Sequence, residues 1–177
     1  MGATGLGNMG TTLMQSQSRS LSPHRLAIAA FAVALLSASP SYGQSGPFTH
    51  MAGTWSGDGT ISTSSGGERI RCRATYRIGE GGRLFQQALT CASDSYKFEI
   101  SCTAEAQGSA VTGTWQEATR GVSGTLSGRI SGQSISARVD AAGFSAGVAV
   151  TTSGRSQAVV IRPQGTDITE VSVRLHR

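Results

Sequence analysis

One feature governs what this chain can become: polar and apolar residues alternate two by two, in short runs separated by glycine-bearing breaks. Successive side chains of a β-strand point to opposite faces, so period two is the signature of a strand with one face buried. The cleanest run is 68–78, where Ile70, Cys72, Ala74, Tyr76 and Ile78 alternate with Arg69, Arg71, Arg73, Thr75 and Arg77. Further runs follow at 83–91, 96–103, 110–119, 122–130, 135–139, 144–150, 156–162 and 167–176, and one precedes at 51–62. Helical period is absent along this stretch. With charged residues at 14 % and 24 glycines in 177 residues, the chain lacks the Ala, Glu, Lys and Leu excess of helical bundles and coiled coils.

The pattern predicts ten strands joined by loops of a few residues. Short loops join antiparallel neighbours, so the expected topology is an up-and-down meander. An open meander of this length exposes two edges and one apolar face, and closure into a small barrel removes both. An eight-stranded barrel with a cap is the alternative. Gly79-Glu80-Gly81-Gly82 punctuates one hairpin. Gly53, Gly113 and Gly124 fall inside strands, in three related stretches ending Gly-Thr-Trp, Gly-Thr-Trp and Gly-Thr-Leu, where a curling sheet needs room. Inward positions late in the chain are small: Gly124, Gly128, Ala137 and Ala146. Outward positions there are Ser, Thr, Gly and Arg, whereas a membrane barrel faces lipid with apolar residues.

Residues 1–43 read as a signal peptide with an N-terminal extension, and 44–177 as one β-barrel domain. Arg19, His24 and Arg25 precede the apolar run 26–36, and the small residues Ser37, Ala38 and Ser39 follow. Eleven apolar residues are too few to cross a bilayer as a mature helix, which needs about 20. Cleavage after Gly43 or after Ala38 fits, and Met9 or Met14 can serve as the start. The expected destination is the periplasm or the exterior, with no membrane-spanning segment after cleavage.

Gly53-Thr54-Trp55-Ser56-Gly57-Asp58-Gly59 resembles the first strand of calycin-type barrels. In lipocalins a Gly-x-Trp strand is packed by an Arg from the last strand, which implies a pairing of Trp55 with Arg174. The same stretch resembles nitrobindin-like haem barrels, and avidins also begin with Gly-Thr-Trp. The haem barrels use a late His as ligand, and the late histidine here is His176. The chain as a whole resembles uncharacterised small exported bacterial proteins over 68–76, 91–96 and 161–166, a likeness that implies fold and compartment and no activity.

Three cysteines in an exported chain suggest one disulfide and one thiol. Cys72 and Cys91 flank the 79–82 turn and share the inward face. Their midpoint lies one residue beyond the turn centre, so the pairing calls for a one-residue bulge. Cys91–Cys102 fits its turn less well. Cys102 then sits in an apolar row, as a buried small hydrophobe or as a thiolate ligand.

The residues for catalysis are scarce. His50 and His176 are the two histidines beyond residue 43. No Gly-x-Ser-x-Gly sits on a strand-to-helix elbow, and no phosphate loop, dinucleotide fingerprint or Cys-x-x-Cys spacing is present. Asp58 and Glu117 follow the two tryptophans and could pair as acid and base, but they read better as surface carboxylates. A non-enzymatic exported barrel is the expectation, with no cofactor. A small apolar ligand would be lined by Trp55, Tyr76, Phe85, Phe98, Trp115 and Phe144. The alternative is an envelope interaction module whose face Arg69, Arg71, Arg73 and Arg77 meets anionic glycans or lipids. Nucleic acid is disfavoured because no aromatics interleave with those arginines to stack bases.

Overall fold

The computed structural model describes residues 45–177. The expected leader, residues 1–43, lies outside them. The described chain forms ten antiparallel strands: β1 (Gly53–Thr63), β2 (Gly66–Gly79), β3 (Leu84–Ala92), β4 (Lys97–Gln107), β5 (Ala110–Glu117), β6 (Val122–Ser131), β7 (Ser134–Ala141), β8 (Phe144–Ser153), β9 (Ser156–Gln164) and β10 (Ile168–His176). Each strand pairs with its sequence neighbours, and β1 also pairs with β10, so the meander closes into a barrel. Closure leaves no strand with an unpaired edge. No helix among the described residues is long and apolar enough to cross a membrane.

The register fixes the two faces. Across β1 to β4, Trp55 opposes Ala74, Ala74 opposes Leu89, and Leu89 opposes Ile100. Val111, Gly128, Ala137, Val148 and Ile161 continue the inward set across β5 to β9. Arg69, Arg71 and Arg73 of β2 oppose Thr60, Asp58 and Ser56 on the outer wall.

A short 3-10 turn, Thr49–Met51, plugs one end of the barrel. Phe48 and Met51 are 1 % and 2 % exposed. The plug is tied to the β2–β3 connection, where Gly46 N–H donates to the Gly81 carbonyl at 2.8 Å and Phe48 N–H to that of Gly82 at 3.0 Å. Gly46 and Gly82 lie backbone to backbone, and a Cβ on Gly82, whose φ is +97°, would meet the Cα of Gly46 at 2.6 Å. Met51, expected to begin the first strand, belongs to this plug instead.

Two local expectations are corrected. The β2–β3 connection spans residues 80–83, because Gly79 pairs with Leu84, so Cys72 and Cys91 oppose each other without any bulge. Gly53 does not relieve crowding: it starts β1 at φ +115° with open space around it. Gly124 does, since a Cβ there would run into the Asp140 carbonyl of the strand beyond.

Candidate functional site

The barrel interior is filled unevenly. Near the plug the side chains close-pack. Trp55 is fully buried, and its indole N–H donates to the Met51 carbonyl at 2.8 Å. Tyr76 lies 6.4 Å from Trp55 and 5.3 Å from Phe85, ring centre to ring centre, and Phe48 lies 5.3 Å from Phe85. One polar chain crosses this floor: the Tyr76 hydroxyl donates to Gln157 Oε1 at 2.7 Å, and Gln157 Nε2 donates to Thr152 Oγ1 at 3.0 Å. All three residues are buried, and a buried polar group is tolerated when it is hydrogen-bonded. Burial raises the Tyr76 pKa, so the hydroxyl keeps its proton and acts as donor. Sequence reading missed Thr152 and Gln157; the signal was two polar residues at inward parity in β8 and β9.

Along β6 to β9, and at the far ends of β3 to β5, many inward apolar side chains are only half-buried, whereas Ile61, Ile70, Cys91 and Ala146 toward the same end are buried. Leu89, Phe98, Ile100, Trp115, Leu126, Val139, Phe144, Val148, Val150, Val159 and Ile161 all face inward at intermediate exposure. Small residues (Ala104, Gly113, Gly124, Gly128, Ala137 and Ala146) occupy other inward positions of the same wall. Eight strands make a barrel just wide enough for its side chains, and ten make a wider one. Small wall residues widen it further, and solvent reaches the apolar lining. The six aromatic candidates therefore divide. Trp55, Tyr76 and Phe85 form the floor. Phe98, Trp115 and Phe144 stand in the open part, with Trp115 and Phe144 5.7 Å apart. The Trp115 indole donates to the Thr125 carbonyl at 3.2 Å. A shallow concavity of about 450 Å³ lies on the outer wall over the Cys102, Trp115 and Gly124 backbone, lined mostly by the outward Ser101, Thr103, Thr114, Gln116, Ser123 and Thr125.

Gln87 faces the interior at mid-height, between Tyr76 on β2 and Cys102 on β4. It is half-buried, and its amide has no hydrogen-bond partner among the described residues. Cys102 is buried, and desolvation pushes its thiol up to about 11, so it is protonated and packs as a small apolar group. Cys72 and Cys91 are joined in a disulfide.

The open rim is ordered by Glu117, which is 6 % exposed rather than on the surface as expected. Burial alone would raise its pKa. The Thr119 hydroxyl at 2.6 Å and the backbone N–H groups of Glu99, Thr119 and Arg120 at 2.9–3.1 Å outweigh it and hold the carboxyl at about 2. Arg120 lies 3.5 Å from the same carboxylate and covers the Phe98 ring at 4.9 Å. Asp58 stands on the outer wall, 3.8 Å from Arg71, so the two carboxylates belong to opposite sides of the barrel wall and form no acid–base pair.

The resemblance-based pairing of Trp55 with Arg174 is also corrected. Arg174 opposes Asp58 on the outer wall. Arg177 takes the place beside Trp55 and donates to the Ala52 carbonyl at 2.6 Å. His176 is exposed on the outer wall, with Nδ1 3.2 Å from the Ser156 hydroxyl, so it cannot reach an interior ligand. His50 sits at the plug, where burial and then the charge of Arg177 lower its pKa. Arg69, Arg71, Arg73 and Arg77 are all exposed on one outward row of β2.

No protein-family model and no curated protein matches the sequence. The fold does have solved counterparts. Rv2717c from M. tuberculosis superposes with a TM-score of 0.52 over 73 % of this chain and 93 % of its own, at 12 % identity. A protein of unknown function from the DUF3598 family of Nostoc punctiforme PCC 73102 superposes with a TM-score of 0.53 at 12 % identity. That match covers 72 % of this chain and 47 % of the other. At such identity the likeness is one of fold.

Proposed function

We propose that the protein is an exported, non-enzymatic, calycin-like barrel that holds a small apolar ligand in the open half of its interior. The observation that carries this reading is the half-exposure of the inward apolar wall of β6 to β9, Leu126, Val139, Val148, Val150, Val159 and Ile161, facing a close-packed β1–β4 side. Apolar concave sites with few polar groups are the usual form of small-molecule pockets. Export to the periplasm or exterior is supported by the apolar run at 26–36 and by the Cys72–Cys91 disulfide, which persists in oxidising compartments. Titration with diphenylhexatriene, a hydrocarbon that fluoresces only out of water, tests it. Saturable binding with quenching of Trp115 is expected, and Trp115→Phe removes the quenching while leaving the probe signal. A probe that stays dark at every protein concentration overturns the reading.

A second reading attaches to the outer wall. Among the described residues, Asp58 is the one ion-pair partner in the row of Arg69, Arg71, Arg73 and Arg77, and Arg174 lies one strand beyond that carboxylate. Their neighbours on β1 are Thr54, Ser56 and Thr60. Such a face suits an anionic envelope glycan or lipid. Salt-sensitive binding to anionic vesicles or an acidic polysaccharide, lost in an Arg69, Arg71 and Arg73 triple Ser variant, is the expected outcome, and binding unaffected by that variant excludes it.

A further inference from the structure

The inward positions of all ten strands carry no lysine or arginine. The inward acid Glu117 is already saturated with hydrogen bonds, and Glu68, opposite Ile61 at the open end, accepts from Ser95 N–H at 2.8 Å. The rim cations are engaged too: Arg120 by Glu117, and Lys97 by Glu99 at 2.7 Å. Asp94 and Asp167 stand on the open-end connections without ion-pair partners among the described residues. An anionic ligand would enter past acids and find no counter-charge inside, and an unpaired charge in an apolar site is strongly disfavoured. Arg177 lies at the plugged end beside fully buried Trp55, away from the opening.

Two polar groups facing the interior are uncommitted among the described residues: the Tyr96 hydroxyl at the rim, its ring stacked on Phe98, and, deeper, the Gln87 amide. Tyr76, Thr152 and Gln157 satisfy one another, Glu117 is occupied, and the Cys102 thiol is a weak donor. The Gln87 amide, at mid-height in the wall, is left with both a donor and an acceptor to offer. We infer that the barrel selects an electrically neutral apolar ligand bearing a hydrogen-bonding group, an alcohol, ketone, ester or amide, and that Gln87 receives that group. This rests on the interior-ligand reading above and gives it a chemical class: long-chain carboxylates and other amphiphilic anions are rejected. A glutamine amide can turn to donate to a carbonyl or accept from a hydroxyl, so it reads neutrality and polarity without choosing between those groups.

The test displaces diphenylhexatriene from the wild-type protein with decanol and, separately, with decanoate at pH 8. Decanol is expected to compete at least tenfold more strongly than decanoate. In Gln87→Leu the ratio of decanol affinity to probe affinity is expected to fall roughly five- to tenfold, the worth of one hydrogen bond in a partly dry site. Equal displacement by decanoate and decanol overturns the inference while leaving the interior-ligand reading intact. So does an unchanged ratio in Gln87→Leu. A wild-type protein that never lights the probe removes the underlying reading instead. The wild-type comparison needs no variant, and probe binding by Gln87→Leu reports that the variant has folded.

Discussion

The Arg177 guanidinium lies 4.7 Å from the centroid of the Trp55 ring. The same side chain donates to the Ala52 carbonyl just before β1, and the Arg177 backbone N–H donates to the Arg155 carbonyl at 3.2 Å. One residue thus clips the end of β10 to the start of β1 and to the β8–β9 turn. Arg177→Ala should cost about 1–2 kcal/mol, the sum expected of a partly exposed cation–π contact and a charge-assisted hydrogen bond. Urea unfolding followed by Trp emission measures it. Arg174→Ala, on the outer wall, should stay within about 0.5 kcal/mol of wild type.

Glu117 makes stability pH-dependent. Its folded pKa of about 2 lies below its ordinary 4.5. A depressed carboxylate stabilises fully above its unfolded pKa and loses that contribution as pH falls through the folded one. The loss therefore runs between about pH 4.5 and 2 and amounts to roughly 3 kcal/mol. Urea midpoints at pH 7, 4 and 2.5 should fall in that order. Glu117→Gln should lower the pH 7 midpoint and flatten the acid limb, and a limb of unchanged slope would assign the effect to other groups.

The disulfide closes a sequence separation of 19 residues. Its removal in a Cys72→Ala, Cys91→Ala variant should cost roughly 3 kcal/mol in the chain-entropy picture. Cys102→Ala should be milder and leave the non-reducing Cys72–Cys91 peptide intact. The buried Cys102 thiol, pushed to about 11, should react with Ellman's reagent only after unfolding.

Plug docking depends on two glycines in contact. Gly82→Val places a branched side chain at φ +97° and against Gly46. The expected result is a loss of about 2–3 kcal/mol from backbone strain and displaced packing. Faster proteolysis between residues 45 and 52 is expected with it, seen by limited digestion and mass spectrometry.

Period-two alternation made the strands legible, because a half-buried strand must alternate and short glycine turns must join neighbours. The inward row Ile70, Cys72, Ala74, Tyr76 follows from that pattern; the Cys72–Cys91 pair needed the position of the turn as well, and that turn proved to span 80–83, one residue later than the glycines suggest. What resisted reading depends on three-dimensional closure. Phe48 and Met51 show no period, since a plug packs across a barrel end rather than along a strand. Glu117 looked like a surface acid because its partners are mostly backbone N–H groups, which carry no sequence signature. Arg177 rather than Arg174 meets Trp55 because inward parity on β10 falls on 171, 173 and 175, and Arg177 continues that row past the strand end. The small inward residues Gly124, Gly128, Ala137 and Ala146 were legible from parity, but which aromatic candidates pack against the plug could be told only once the plug was in place.

The seam between β1 and β10 separates two kinds of assembly. Nine pairings join strands that follow one another, so each is a local hairpin with little loop-closure cost. The tenth brings Ser56 to His176, across nearly the whole barrel sequence. Non-local closure of this sort is the slow element in folding. It also sets the two ends of the barrel sequence side by side, the arrangement that tolerates circular permutation. A permutant opened in the two-residue β4–β5 turn, with a short linker from Arg177 to Ser45, would turn the seam into a hairpin and make an interior pair the last to close. Comparing the refolding rates of the two connectivities would show whether closure of the ring, rather than any one hairpin, sets the pace.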